Sequence, residues 1–217
     1  MGIHIMPPVY KLVIERRILV ADYIPPAFFA LKAYPNYATA HDSATGTNYN
    51  VANIEVGQRQ DAPTFDRYAI ERGLVTFDLA SLPVSAKIIS AIINLTSYYK
   101  YADNPFNLVV VDGTDIDLND NAYGDLLSRI TTLGSIASAD IPNSGFDGVA
   151  FTITLNSAGR ALVAAGAGAG AKVKFGFRSS RDILSTAPGV GQRERCGFKK
   201  YIPPTGPVLL KLTITYM

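Results

Sequence analysis

The sequence predicts an all-β domain, a jelly-roll β-sandwich with short helical inserts and an N-terminal arm. Short apolar or alternating segments of strand length recur along the chain, and most end at Gly, Pro, Asn or Asp. Tyr, Thr, Ile and Val are common, while 18 Gly and 13 Pro interrupt the sequence. A chain of 217 residues is long enough to form one domain with its own core.

Residues 1–37 are predicted to form the arm, and residues 38–217 the sandwich. Proline recurs through the arm, and proline is disfavoured in helices and in central strands. The arm also carries apolar residues that need a surface to pack on; the predicted partner-binding residues are Val9, Tyr10, Leu12, Ile14, Ile18, Phe28, Phe29 and Leu31. Two arrangements are open. The segment either completes the domain's own sheet as an extra edge strand or docks on a neighbouring subunit.

From residue 38 onward the chain reads as a series of strands. The predicted strands are 53–57, 73–79, 87–99 (one long strand or a bent pair), 108–111, 149–155, 173–178 and 208–216. The segment 73–79 shows the period-two alternation of a half-buried strand. Two short helices are predicted, one around 123–130 and one that Asn156 or Ser157 caps and that runs to about Ala164.

Several of these segments together resemble the DNRLRE-type domain family, whose members are jelly-roll modules of bacterial surface proteins related to carbohydrate-binding modules. The most specific part is GLVTFDLASLP at 73–83, followed by IISAIINL at 88–95; further similar segments are 42–50, 54–57, 151–155, 174–178 and 207–216. The resemblance spans roughly residues 38–217 and implies a jelly-roll fold. Family members usually sit in long secreted proteins, whereas a stand-alone domain without a signal sequence resembles proteins of bacteriophage particles.

The charge pattern argues against nucleic-acid binding. The 20 basic and 18 acidic residues leave a net charge of +2, without the clustered basic face of a nucleic-acid binder. The densest basic stretches, Arg193–Arg195 and Lys199–Lys200, are predicted to form a solvated loop rather than a phosphate-binding track. Charged residues at 15–17 interrupt the apolar N-terminus, so neither a signal peptide of the usual design nor a membrane span is expected.

Residues for catalysis are scarce. The two histidines are His4 and His41, and no serine in a nucleophile-elbow motif accompanies His41 and its neighbour Asp42. The protein is therefore predicted not to be an enzyme. The single cysteine, Cys196, has basic neighbours that would favour a thiolate, but a buried structural cysteine is the preferred interpretation.

An acidic run between residues 112 and 121 suggests calcium, because alternating oxygen ligands suit a hard cation; the candidate ligands are Asp112, Asp115, Asp117 and Asn119. The EF-hand pattern fails, since Asp120 stands where glycine is required and Leu126 where the bidentate glutamate should be. The alternative is a turn rich in Asx motifs. No other cofactor is expected.

Tyr98, Tyr99 and Tyr101 form the main aromatic cluster, with Lys100 among them. On a regular strand Tyr99 and Tyr101 share one face and Tyr98 points to the other. Three roles are open: stacking on a glycan, contact with a protein, or a structural role at the sheet edge. The absence of tryptophan counts against a dedicated sugar-binding face.

The predicted function is that of a non-enzymatic structural protein of a virus particle, such as a capsid-decoration or fibre-base protein that docks through its arm. The alternative is a carbohydrate-binding or adhesive surface module. The expected partners are other virion subunits or further copies of the chain in a homo-oligomer, with surface glycans as a further candidate. The expected location is the virion, or alternatively the extracellular space or the cell surface.

Overall fold

The computed structural model describes residues 16–49, 53–61, 67–117, 119, 121–143, 148–168, 172–199 and 209–217. The strands are β1 (Arg17–Tyr34), β2 (Thr47–Tyr49), β3 (Asn53–Asp61), β4 (Arg67–Asp78), β5 (Ile88–Ala102), β6 (Asn107–Asp112), β7 (Gly134–Ala137), β8 (Val149–Thr154), β9 (Lys172–Ser179), β10 (Arg193–Lys199) and β11 (Lys211–Tyr216). The α-helices are α1 (Tyr37–His41), α2 (Ala122–Leu127), α3 (Ser157–Ala165) and α4 (Ser180–Ile183), and Ser138–Asp140 forms a short 3-10 helix. No helix in these ranges is long and apolar enough to span a membrane.

The strands pair antiparallel in the order β2-β1-β11-β5-β10-β3-β4-β9-β6-β7, and β8 pairs with β5 beside this path. The sheet curls on itself, because β1 pairs with β11 through residues 17–22 and with β4 through residues 23–34. The long strand β5 likewise pairs with β11 and β8 in its first part and with β10 in its second. The predicted all-β, jelly-roll-like sandwich is confirmed.

The main core lies between the layers that this curling creates. It joins apolar side chains of β5, β8 and β11 to those of β4, β6 and β9; examples are Ile93, Ile153 and Leu212 on one side and Phe77, Val110 and Phe177 on the other. Alternation along β5 and β11 places every second residue in this core, which is the pattern expected of half-buried strands. Helices α1 and α2 cover smaller apolar clusters that include residues of β4 and β6.

Most predicted elements are present, although their ends differ. The predicted strand 53–57 extends to residue 61, and the strand 73–79 begins at residue 67. The helix after β8 begins as predicted, since the Asn156 side chain accepts a hydrogen bond from the backbone N–H of Gly159. Sequence reasoning missed β2, β7, β10, α1 and α4.

The prediction of a solvated loop at Arg193–Arg195 is wrong, because these residues begin the central strand β10. Every second residue of the strand is buried, namely Glu194, Cys196 and Phe198. Burial raises the pKa of the Cys196 thiol to about 12, in agreement with the structural interpretation of this cysteine.

The described part of the predicted arm belongs to the domain's own sheet, which is the first of the two arrangements predicted for it. Pro25 and Pro26 fall where the β1–β4 register is interrupted, so they remove no regular ladder bond. Leu31 packs against the main core, whereas Ile18 is exposed. The backbone of Phe28 and Phe29 pairs with β4 as part of β1, but their side chains are not among those that the structure describes. The candidate residues Val9, Tyr10, Leu12 and Ile14 lie outside the described residues.

Candidate functional site

A small pocket opens where β3 and β5 end and β10 begins. Its volume is about 240 Å3, and its lining is formed by Arg59, Asp61, Tyr101, Arg193 and Arg195. The central position of β10 brings these residues together, because β10 pairs with β3 along one edge and with β5 along the other. In these ladders Arg193 lies opposite Arg59, and Arg195 lies opposite Tyr101.

The three predicted tyrosines are adjacent, but they are not equivalent. Tyr99 and Tyr101 share a face, as predicted, and their ring centroids are 5.5 Å apart. Tyr98 does not point away from them: its ring centroid lies 5.5 Å from that of Tyr99. The reason is a break in the β5–β10 register at this point, which interrupts the alternation. Tyr101 is the exposed member, at 44%.

Cationic side chains of β10 lie over each ring. The guanidinium carbon of Arg195 is 4.9 Å from the Tyr99 centroid, and that of Arg193 is 5.3 Å from the Tyr101 centroid. Lys199 Nζ is 5.9 Å from the Tyr98 centroid. All three distances are within the range of cation–π attraction. The basic residues that resembled a solvated loop in sequence therefore pack on the aromatic cluster.

Glu71 of β4 holds the pocket arginines from the protein interior. It is fully buried, and its Oε1 accepts hydrogen bonds from Arg59 Nη1 at 2.9 Å and from Arg195 Nη1 at 2.5 Å. Arg195 Nη2 donates to Glu55 at 2.8 Å, and Arg59 Nε donates to Asp61 at 3.0 Å. Charge-assisted bonds of this kind fix the guanidinium planes before any ligand arrives.

Two buried atoms of this network have no hydrogen-bond partner among the described residues, Glu71 Oε2 and Arg195 Nε. Burial raises the pKa of Glu71 to about 8, and the nearby charge of Glu55 adds to the rise while Arg59 opposes it.

Arg193 is the least compensated cation of the pocket. Its backbone is fixed, since its N–H donates to Asp103 Oδ2 at 2.7 Å and its carbonyl oxygen accepts from the Asp103 N–H at 3.0 Å. Within the described ranges, no residue accepts a hydrogen bond from its guanidinium group, and no carboxylate forms a salt bridge with it. A fixed backbone with an exposed, unpaired guanidinium group is suited to receive an anionic group of a ligand.

A second ionic network lies under the helices and centres on Asp182 of α4, which is fully buried. Its carboxylate accepts from Arg72 Nε at 3.0 Å, from Arg72 Nη2 at 2.7 Å and from Arg178 Nε at 2.6 Å. Both arginines also donate hydrogen bonds to backbone carbonyl groups. Arg72 donates to those of Tyr123 and His41, and Arg178 donates to that of Leu127. The network therefore ties α1, α2 and α4 to the sheet.

This second network is connected to the pocket through α4. Arg181, next to Asp182, donates to Glu194 Oε2 at 2.6 Å. Glu194 is fully buried and lies between the pocket residues Arg193 and Arg195 on β10. Gln58 Nε2 donates to the same carboxylate oxygen at 2.7 Å. The position of β10, and with it the position of the pocket arginines, thus depends on buried polar contacts that no local sequence pattern indicates.

The structure brings a serine to His41 that sequence reasoning missed, Ser185. His41 Nδ1 is 2.5 Å from Asp42 Oδ1, and His41 Nε2 is 3.3 Å from Ser185 Oγ. Ser185 also has a positive φ of 51°, a strained conformation that nucleophilic serines share. No local motif joins the two, because they are 144 residues apart.

One contact of this arrangement differs from that of a nucleophilic serine–histidine pair. His41 Nε2 is 2.8 Å from the backbone carbonyl oxygen of Asp182, which can only accept a hydrogen bond. Nε2 therefore carries a hydrogen and donates it to that oxygen. A protonated Nε2 cannot take the proton of Ser185, as a general base must. The absence of enzymatic activity stays a prediction.

The calcium candidates are only partly brought together. Asp115, Asp117 and Asn119 line one shallow pocket, which also includes Asp42 and Asp125, whereas Asp112 is not among its lining residues. Asp112 Oδ1 instead accepts from the N–H and hydroxyl of Thr114, and Asn119 Oδ1 accepts from the N–H of Asn121, so both form Asx-type turns. In the part of the chain that the structure describes, no group of three or more His, Cys, Asp or Glu residues is placed to hold a metal ion. Calcium binding stays a prediction.

Comparison with protein-family models gives no match for this chain. A search of curated proteins gives no match either. The similarity to DNRLRE-type domains therefore stays a prediction, and the function has to be argued from the pocket and the surface.

Proposed function

We propose that the chain is a non-enzymatic binding module that recognises a carbohydrate carrying a carboxylate group. The observation that supports this is the exposed Tyr101 ring with the Arg193 guanidinium group over it, a group that has no hydrogen-bond acceptor or carboxylate partner among the described residues. A tyrosine ring offers a flat apolar face to the C–H groups of a sugar ring. A guanidinium group donates two parallel hydrogen bonds to a carboxylate, a geometry that lysine cannot reproduce.

The pocket is also pre-organised, which lowers the entropic cost of binding. Arg59 and Arg195 are already bonded to Glu71, and Tyr99 supports the Arg195 guanidinium plane. A ligand therefore has to order only the outermost side chains, Tyr101 and Arg193. The pocket volume of about 240 Å3 is below the usual range for drug-sized ligands, so we expect the pocket to hold at most one sugar unit of a longer chain.

Replacing Arg193 or Tyr101 with alanine is expected to weaken binding of oligogalacturonate at least about tenfold, because each change removes one of the two outermost contacts and a charge-assisted hydrogen bond contributes about 1.5–3 kcal/mol. Isothermal titration calorimetry measures this directly. A neutral maltooligosaccharide of the same length serves as the comparison ligand, and its affinity is expected to be low for the wild-type protein and both variants.

Matched control variants lie outside the pocket. Tyr34→Ala removes a tyrosine that is 37% exposed on β1, and Arg16→Ala removes an exposed arginine. Both are expected to bind oligogalacturonate as the wild-type protein does. Equal weakening in the control and pocket variants would contradict a site at the pocket. If the wild-type protein binds oligogalacturonate and the maltooligosaccharide with equal affinity, the proposed preference for a carboxylate is contradicted, and only carbohydrate binding remains supported.

A second candidate function is a structural role in a virus particle, as a capsid-decoration or fibre-base protein. The observation that favours assembly is the pair Ile18 and Val20 on β1, which are 71% and 50% exposed. Neighbouring exposed apolar side chains of this size are typical of surfaces that contact another protein. The two functions are compatible, since a particle protein with a glycan pocket can attach the particle to a cell. The corresponding locations are the virion, the extracellular space or the cell surface.

A further inference from the structure

Among the strands that the structure describes, the first part of β1 lies at an edge of the sheet. Residues 17–22 pair with β11 along one side. Along the other side, none of the described strands pairs with them: β4 begins its pairing with β1 at Tyr23, and β2 at Phe29. An open edge presents backbone N–H and C=O groups that another strand can use.

Between its charged ends, Arg17 and Asp22, this edge lacks the features that normally keep edges apart. Proteins usually place lysine, proline or a bulge on an edge strand. The segment from Ile18 to Ala21 is instead entirely apolar and regularly paired with β11. Ile18 and Val20 project away from the core, at 71% and 50% exposure, while Leu19 packs against the core and Ala21 is part of it. The outer face of the edge is therefore apolar and uncovered by any described residue.

The sequence of the edge is complementary to itself in an antiparallel pairing. With a two-fold axis at Leu19, Ile18 of one copy lies opposite Val20 of the other. Two positions further out, the same pairing places Arg16 of one copy at the position opposite Asp22 of the other. Directly opposed apolar residues and opposite charges both stabilise antiparallel strands. An axis at Val20 would instead place Ile18 opposite Asp22. That pairing loses both the apolar contact of Ile18 with Val20 and the opposite charges of Arg16 and Asp22.

We propose that two copies of this chain associate through this edge, with their β1 strands antiparallel about a two-fold axis at Leu19. The sheet β8-β5-β11-β1 then continues into the same four strands of the second copy. The symmetric contact places Ile18 of each copy against Val20 of the other, so it partly covers two apolar side chains that a single chain leaves exposed. This inference does not depend on the ligand pocket or on membership of a virus particle.

The test measures the oligomeric state of the full chain by size-exclusion chromatography with multi-angle light scattering. The wild-type protein is expected to be a dimer, and Ile18→Lys is expected to raise the dimer dissociation constant at least about tenfold, since it places two lysines beside the axis. Val190→Lys is the control, because Val190 is 78% exposed in a loop between α4 and β10. It is expected to leave the dimer unchanged. Circular dichroism verifies that all variants are folded.

Charge reversal tests the register itself. Arg16→Asp alone and Asp22→Arg alone are each expected to weaken the dimer, because each places two like charges opposite each other across the axis. The double variant, Arg16→Asp with Asp22→Arg, is expected to restore it. A monomeric wild-type protein would overturn the proposal, as would a dimer that Ile18→Lys leaves intact. If the double variant forms a dimer no tighter than the dimers of the single variants, the axis at Leu19 is refuted.

Discussion

Replacing Asp182 with asparagine is expected to lower the free energy of unfolding by about 3–5 kcal/mol, the usual cost of removing one partner from a buried ion pair. The Asp182 carboxylate is fully buried and accepts hydrogen bonds from both Arg72 and Arg178. Asparagine is almost the same size but carries no charge. Two buried guanidinium groups would thus be left without a counter-ion. Urea denaturation followed by circular dichroism measures the loss.

Asp140→Asn is the matched control, because Asp140 is exposed in the 3-10 helix. Its effect is expected to stay within about 0.5 kcal/mol, as is usual for surface positions. Similar losses in the two variants would contradict the view that this network holds the helices on the sheet.

The effect of Asp182→Asn is also expected to depend on pH. Burial alone raises the pKa of Asp182, but Arg72 and Arg178 more than offset this and hold it at about 2, below the ordinary 3.8. The unfolded chain therefore takes up a proton at higher pH than the native protein does. The stabilisation is complete above the ordinary pKa and is lost as the pH falls toward 2. The difference between the wild-type protein and the variant is expected to shrink by about 2 kcal/mol between about pH 5 and pH 2.

Gly57→Ala is the second substitution with a large expected effect, a loss of about 3 kcal/mol or more from backbone strain and steric overlap together. Gly57 has a φ of 133°, which side chains rarely tolerate. An added Cβ would lie 2.3 Å from the carbonyl oxygen of Glu194 and 2.5 Å from Cα of Arg195. Both atoms belong to the backbone of β10, so the overlap can be relieved only by separating β3 from β10. Thermal or urea unfolding measures the loss.

Gly191→Ala separates the two causes. Gly191 also has a positive φ, of 73°, but an added Cβ would meet no atom within 4 Å. It is expected to cost only about 1 kcal/mol, from backbone conformation alone. If Gly57→Ala costs no more than Gly191→Ala, the close approach of β3 and β10 is not needed for stability.

The sequence was sufficient for the fold class because the core strands carry local signals. The Asn156 cap of α3 depends only on neighbouring residues and is present in the structure. The segment 73–79 is a strand, as its alternation indicates, but the prediction that it is half-buried is wrong. Residues 69–77 of β4 are all buried, because the side chains that face away from the main core are covered by α1 and α2. β10 was missed because its alternation is formed by charged residues. Glu194 is buried only because Gln58 and Arg181 bind its carboxylate, and these partners are 136 and 13 residues away.

The candidate site was half predictable for the same reason. The aromatic cluster is visible in sequence as three tyrosines within residues 98–101. The break in register that turns Tyr98 toward Tyr99 is not visible there, because it is set by the pairing with β10. Glu71 and Arg195 are far apart in the chain, and only the curled sheet brings the two charges into contact. Buried ion networks of this kind follow from tertiary structure, which local patterns do not encode.

The most direct test of the proposed binding function is to map the ligand by nuclear magnetic resonance. Oligogalacturonate is titrated into isotope-labelled protein, and the backbone amide signals are followed. Saturable shifts are expected at Arg59, Tyr101 and Arg193, with little change in α3. Saturable shifts confined to another surface would contradict the pocket as the site. No shifts with either oligogalacturonate or the neutral maltooligosaccharide would contradict the proposed carbohydrate binding.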